Sequence, residues 1–373
     1  MSSQQLKSQH GAIGRHSSAI YPTQTGMIEV TRYDSPADLL RDVGPTLYRR
    51  EQEANVMVPL LEKLSQQKKT GSHLVDMEQP SSSTVPNVWL VLRSHLPSES
   101  SLSHGTIDFV LSCTNGSMGS YPIFIWAARP VKTMSKDLIQ TRMVCLAKHL
   151  SCTLPSTKRV FSVFAPTRVT HSFVMAWSTL TGSIPVDVPY YHAVFSSVTK
   201  ETLRLESPIA TSNPRRYALR RAVAGDEENI AYLCYEFAAT SDPFILDMAG
   251  ARREAHLLVS QGQAYVCDVE GAIACVVAVT RSSANHAAIT KVVTHPSYYS
   301  QGWAKRLVRD VCTKLLYDEQ KTSVVLYVAL GNIPAEKVYH NVGFSGLMGT
   351  PRDVETDDEW LELGFEKTDL GHW

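Results

Sequence analysis

"THPSYYSQGWAKRLV", residues 294–308, begins as the end of a strand and finishes as a helix. Pro296 cannot donate to a sheet ladder, so a strand entering this stretch stops near Thr294. From Gly302 onward, Ala304, Leu307, Val308, Val311, Leu315 and Leu316 recur at helical spacing. The stretch is a strand, a short polar loop, and a helix led by glycine. Such a helix N-terminus has N–H groups without intrahelical acceptors and a partial positive charge, which together suit a phosphate. Gly302 would let a bulky anion approach the backbone, and Ala304 would keep the first turn clear. The amides of Ser300, Gln301, Gly302, Trp303 and Ala304 are therefore candidate diphosphate ligands. An ordinary β-loop-α connection with a glycine cap reads the same residues equally well.

The following strand and helix weigh on that choice. "SVVLYVAL" (323–330) reads as a strand, and "NIPAEKVYHNVGF" (332–344) as a helix with Pro334 in its first turn. Tyr339 falls one turn after Ala335. Taken alone it reads first as a packed aromatic, yet it would project at the cleft where two parallel strands separate, a usual ligand position in α/β sheets.

Upstream, "RRYALRRA" reads as a strand, followed by helices over Glu227–Thr240 and about Asp247–Ser260. A hairpin over 264–279 turns at Glu270–Gly271, and "AAITKVV" (287–293) is the strand that enters the opening stretch. The second half thus runs β-α-α-β-β-β-α-β-α. In the first half a helix is expected over Ala54–Gln66, strands at 88–94, 106–113 and 121–128, a helix at 135–150, a strand at 158–166, a helix at 171–182 and a strand at 190–198. Residues 1–30, polar and Ser/Gln-rich, read as a flexible arm. The Pro- and Ser-containing break at 200–214 sets domains of 31–205 and 206–373. The tail "EWLELGFEKTDLGHW" ends on tryptophan and is expected to dock, near an acceptor pocket or the domain interface.

Composition bounds the function. At 373 residues the chain suits two domains, and 43% hydrophobic residues give most of it a core. Lys+Arg and Asp+Glu both total 36, so no overall basic bias points to nucleic acid or an anionic membrane. Seven cysteines without C-x-x-C argue for reduced thiols and against a disulfide framework or zinc site, and no metal is expected. No apolar run approaches the roughly 18 residues of a membrane helix, and residues 1–20 lack a signal peptide's apolar core. The expectation is a cytoplasmic α/β protein without membrane or nucleic-acid partners.

Strand-Pro-x(5)-Gly-x-Ala-helix, followed by Asn332-x-x-Ala335-x-x-x-Tyr339-x-x-x-Gly343-Phe344, resembles the acyl-CoA-binding core of the GNAT superfamily of N-acetyltransferases. The resemblance runs from about Arg216 to Phe344. It implies the GNAT fold for the second half, a mixed, mostly antiparallel sheet flanked by helices, with acetyl-CoA as co-substrate. It also implies that Val292, Val293 and Thr294 bind the pantetheine, that the loop from Tyr299 to Ala304 holds the diphosphate, and that Asn332 contacts the pantetheine arm. Tyr339 would protonate the departing thiolate, a strand amide near Val292 would stabilise the oxyanion, and no covalent enzyme intermediate would be needed. The acceptor would be a primary amine on a small molecule or peptide.

Two positions depart from the family's pattern. Tyr299 stands where a Gln or Arg is usual, and "AAITKVV" lacks the glutamate that many members use as general base. Thr290 with a water chain, or Asp242 or Asp247 reaching in, would have to serve. His295 reads first as a surface residue. The alternative is a non-catalytic acyl-CoA-binding or interaction protein. The first half repeats the second in outline, but "WAARPVKTMSKDL" has no glycine before its helix. It is expected to be a degenerate GNAT-like domain without cofactor, whose "WSTLTG" and "YPIF" aromatics wall the acceptor pocket.

Overall fold

The computed structural model describes residues 17–23, 26–70, 86–95, 105–205, 216–350 and 359–372. Their contacts divide the chain into two units, Met1–His192 with Glu359–Trp373, and Ala193–Asp358. The first half of the chain runs β1 (Ser17–Thr23), β2 (Gly26–Tyr33), α1 (Pro36–Arg49), α2 (Glu51–Ala54), α3 (Val58–Thr70), β3 (Val88–His95) and β4 (Thr106–Cys113). A short hairpin, β5 (Asn115–Gly116) and β6 (Gly119–Ser120), leads to β7 (Ile123–Ala127), α4 (Lys136–Thr153), β8 (Ser162–Pro166), α5 (Thr167–Thr181) and β9 (Tyr191–Val198). The second half runs β10 (Tyr217–Arg221), α6 (Glu227–Ala238), α7 (Met248–Ser260), β11 (Ala264–Val269), β12 (Ala272–Ser282) and β13 (His286–Thr294). It continues with α8 (Trp303–Thr313), β14 (Ser323–Ala329), α9 (Ile333–Val342) and β15 (Glu359–Gly364).

Both units have one topology. In the first, β2, β3, β4 and β7 form antiparallel neighbours, β8 lies parallel to β7, and β15 lies antiparallel to β8. In the second, β10 to β13 form the antiparallel run, β14 lies parallel to β13, and β9 lies antiparallel to β14. In each, helices separate the first two strands and one helix crosses between the parallel pair. The internal repeat expected from the sequence is therefore present in the fold.

The last strands are exchanged. β9 follows α5 in the chain but its residues 193–198 complete the second unit's sheet, while β15 follows α9 and completes the first. The units are thus not the consecutive segments 31–205 and 206–373, because strand partners are chosen by ladder and packing and not by proximity in the chain. The tail docks as expected, in the first unit. Trp360 is buried opposite Pro166, and the His372 amide donates to the Ser120 carbonyl at 2.9 Å.

Two further expectations change. Of residues 1–30, expected to be an arm, 1–16 and 24–25 lie outside the described residues, while 17–23 and 26–30 are strand: β1 pairs with β2 from Ser17–Arg32 to Thr23–Gly26. As an edge strand β1 buries little itself, so its sequence shows no apolar period. α1, which was not expected from the sequence, is capped by Ser35, carries Pro45 in its interior and buries the stripe Leu39, Val43 and Leu47. The aromatics proposed as a pocket wall are spent in the first unit's own core, where Trp177 and Phe124 are buried.

In the second unit the sheet is covered on both faces. One core gathers Leu307, Val308, Val311, Leu326, Tyr339 and Val342 from α8, β14 and α9, and the other gathers Ile230, Leu233, Leu258, Val276 and Val293 beneath α6 and α7. Gly343 ends α9 with φ 116, and a Cβ there would lie 2.0 Å from the Thr202 carbonyl oxygen. The close approach lets the Arg204 amide donate to the Val342 carbonyl at 2.8 Å. Gly343→Ala is accordingly expected to destabilise the protein by about 1–3 kcal/mol through overpacking and the left-handed φ. Thermal melting checks this, and an unchanged midpoint would show that residues 202–204 do not pack on the helix end.

Candidate active site

The parallel ladder between β13 and β14 is short. It pairs His286–Ile289 with Ser323–Leu326, after which β13 continues to Thr294 and β14 to Ala329. Against β12, Lys291 opposes Ala278, Ile289 opposes Val279 and Ala288 opposes Arg281, which leaves Thr290 on β13 and Thr280 on β12 unpaired in the ladder. Such register shifts interrupt regular pairing. The Thr290 hydroxyl is held by a bond from Thr280 Oγ1 at 2.9 Å. The result is a wedge between the two strand ends.

The alternation of the ladder decides which groups face the wedge. The His295 amide donates to the Ala274 carbonyl at 2.9 Å, so Val293 and Lys291, two and four residues earlier, also turn their backbone groups to β12. Val292 and Thr294 turn theirs to the open side. Of the three strand residues expected to meet a ligand, these two have that orientation, whereas Val293 bonds within the sheet and buries its side chain under α6 and α7.

Beyond the strand, His295 caps the turn Pro296–Tyr298, its Nδ1 accepting from the Ser297 amide at 3.2 Å. This accounts for the histidine structurally. Tyr299 is 61% exposed, and its amide donates to the Pro296 carbonyl at 3.2 Å. Ser300 and Gly302 both have left-handed backbones, φ 59 and 80, a conformation that can curl successive N–H groups into an anion-binding concavity. Gly302 is the N-cap of α8 and makes no side-chain cap, and a Cβ on it would meet nothing within 4 Å. A side chain introduced at Gly302 would therefore extend into open space beside the helix start.

The side chains here hold the loop in shape. Gln301 Nε2 donates to the Ser297 carbonyl at 3.0 Å, and its Oε1 accepts from Trp303 Nε1 at 3.3 Å. Trp303 is buried against Tyr217, ring centres 5.4 Å apart, and Ala304 packs against the core. The Arg306 guanidinium lies 5.4 Å from both rings and adds positive charge to the helix start, a residue that the sequence did not single out.

Across the wedge, Asn332 is exposed and caps α9, its Oδ1 accepting from the Ala335 amide at 3.2 Å. The cap uses only the carbonyl oxygen. Tyr339 is 9% exposed, with its ring 5.7 Å from Phe344 in an edge-on contact. Of the carboxylates considered as base, Asp247 caps α7 by accepting from the Gly250 amide at 2.6 Å, and Asp242 is exposed. Burial pushes the Cys267 thiol up to about 11 and Cys275 up to about 12. Cys275 accepts from Thr294 Oγ1 at 3.5 Å, which opposes the shift, but burial outweighs it, so both thiols stay protonated and are poor nucleophiles. Among the described residues no His/Cys/Asp/Glu group could hold a metal, and no helix is long and apolar enough to cross a membrane.

The first unit shows the contrast. There α4 is capped by its own Ser135, whose Oγ accepts from the Leu138 amide at 3.2 Å, and Asp137 sits in the first turn. Arg168 binds the loop carbonyls of Val131 and Met134, at 3.1 Å each. A side chain and a carboxylate occupy the place that α8 leaves open.

Residues 227–344 match the family model described as acetyltransferase (GNAT) family. The chain matches no curated protein by sequence. Among solved structures, a Drosophila protein aligns over 88% of this chain and 96% of its own at 9% identity and a TM-score of 0.55, which is a likeness of fold. A GCN5-related N-acetyltransferase from Sphaerobacter thermophilus aligns over 88% and 92%, with 14% identity and a TM-score of 0.45. A tandem GNAT protein from the clavulanic acid biosynthesis pathway aligns over 74% and 82%, with 16% identity and a TM-score of 0.39.

Because Asn332 is a helix cap, Asn332→Ala should lower stability by about 1 kcal/mol while Asn332→Asp, which keeps the acceptor, should not. Chemical denaturation compares the two. Equal loss in both variants would contradict the cap.

Proposed function

We propose, from the premise that residues 227–344 form a GNAT-family acetyltransferase domain, that this protein transfers an acetyl group from acetyl-CoA to a primary amine of a small molecule or peptide. The observation that carries the proposal is the wedge beyond Ile289, opening beside an uncapped, glycine-led helix start. An extended polar arm ending in a diphosphate needs both features, and the second unit has them between Ile289 and Gly302.

In this reading Val292 and Thr294 pair with the pantetheine amides as a strand would. The amides of Ser300 to Ala304 hold the diphosphate, with Arg306 reinforcing the field. Asn332 offers its unused amide N–H groups to the pantetheine arm. Acyl-CoA supplies the activated thioester, and the neutral amine attacks its carbonyl directly in a ternary complex. The Val292 N–H stabilises the oxyanion that forms there, where a fixed donor is worth most. Tyr339 gives its proton to the sulfur as the carbon–sulfur bond breaks, so CoA leaves as the thiol, and the proton that the amine nitrogen sheds on forming the amide returns through water to the tyrosinate. The raised Cys267 and Cys275 thiols support direct transfer over a covalent route. The first unit, self-capped at the equivalent helix, is proposed to bind no acyl-CoA.

Gly302→Val places a β-branched residue at φ 80 and fills the open space before the helix. Calorimetric titration with acetyl-CoA should show binding lost or weakened more than tenfold, on the order of the strain of a left-handed β-branched residue. Unchanged affinity in a folded variant would remove the loop assignment. Tyr339→Phe should leave acetyl-CoA affinity near wild type and reduce kcat by roughly 10²–10⁴. Thiol release against a panel of amines reads this directly, and full turnover in the variant would return Tyr339 to packing alone.

A further inference from the structure

Within the second unit, a cavity of about 330 Å³ opens beside the end of β14 and the first turns of α9. Val194, Leu330, Leu347 and Met348 give it apolar walls, and Glu336 and Thr350 are its polar side chains. The Thr350 hydroxyl already donates to the Leu347 carbonyl at 2.7 Å. Glu336 differs. Among the described residues its half-buried carboxylate has neither hydrogen-bond nor ion-pair partner. Leu330 is 52% exposed and Met348 45%, so the apolar wall stands open to water around this one charge.

Acidic residues in a first helical turn favour the helix dipole, which accounts for a carboxylate on α9 but not for its apolar surroundings. A carboxylate half withdrawn from water and left unpaired is a costly arrangement that a cation would relieve. Glu336 also precedes Tyr339 by three residues, so the two lie on neighbouring positions of one helical face. The cavity is near the lower limit for small-molecule sites and suits a compact ligand better than a polypeptide segment.

We propose that this cavity is the acceptor subsite, and that it selects a compact apolar primary amine captured as the ammonium on Glu336, whose carboxylate takes one proton and passes it to water to leave the neutral amine that attacks. The inference rests on the acyltransfer reading and deepens it by naming the acceptor class. The apolar body lies against Leu330, Leu347, Met348 and Val194, and the charge sits one helical turn from Tyr339. An amine that carries its own carboxylate, as an amino acid does, meets like charge at Glu336 and is disfavoured.

The test is fluorine NMR titration of the full chain with a para-fluorinated phenethylamine and the correspondingly fluorinated phenylalanine. The amine should bind, and the amino acid should bind about tenfold more weakly or worse, the scale of a lost charge-assisted contact. Glu336→Gln should weaken the amine about tenfold, and Leu330→Lys, a surface change on the opposite wall, should do the same. Both variants should keep acetyl-CoA affinity, which also reports that they fold. Equal binding of the two probes, no binding of the amine, or wild-type affinity in either folded variant would overturn the subsite. Glu336-dependent amine binding in a protein that does not bind acetyl-CoA would instead leave the subsite standing and remove the acyltransfer reading.

Discussion

Four residue pairs of parallel ladder, and the point at which they stop, set the geometry of the second unit. Had β13 stayed regular, its ladder with β14 would have run on toward Thr294 and closed the sheet. Instead the ladder stops at Ile289, where the pairing of β13 with β12 also becomes irregular at Thr290. Beyond it the backbone groups of Val292 and Thr294 turn to the open side, where an uncompensated edge would be unfavourable unless water or a ligand meets it. The same divergence delivers the chain into the loop from His295 to Gly302. The parallel pair also demands a crossover, which is α8, so the helix start falls beside the wedge by necessity of topology.

The two units share that topology and differ in chemistry at one helix start. α8 is led by a glycine that brings no side chain, while α4 is led by a serine that satisfies the helix itself. A helix whose own cap meets its first amides has less to offer an anion, and the Asp137 carboxylate adds repulsion. Gly302 and Ser135 thus express opposite choices on one scaffold. That contrast supports a division of labour in which one repeat binds ligand and the other supplies structure.

Much of this was legible in the sequence because it is local. The Pro296 stop, the apolar stripe after Gly302 and the Asn332 cap each depend on neighbouring residues, and the order of elements from β10 to α9 follows from them. What was not legible is non-local. The irregular pairing at Thr290 depends on how β12 registers against β13, and nothing in "AAITKVV" announces it. The exchange of β9 and β15 depends on which ladder each completes, and both sequences would fit either sheet edge. That the Glu336 carboxylate has no partner among the described residues depends on what Val194, Leu330 and the 346–350 segment place around it. α1 tolerates Pro45 in its interior because packing of Leu39, Val43 and Leu47 outweighs the lost hydrogen bond. Val293, read as one of three equivalent strand residues, was separated from its neighbours by alternation alone.

The central claim is that acyl-CoA binds the second unit at the wedge and the start of α8, and not the equivalent place in the first. Amide hydrogen exchange followed by mass spectrometry, with and without acetyl-CoA, measures this across the whole chain at once. The account predicts added protection over residues 292–306, with no change over 128–138 before and into α4. Protection confined to 128–138, or unchanged exchange at both places under saturating acetyl-CoA, would contradict it.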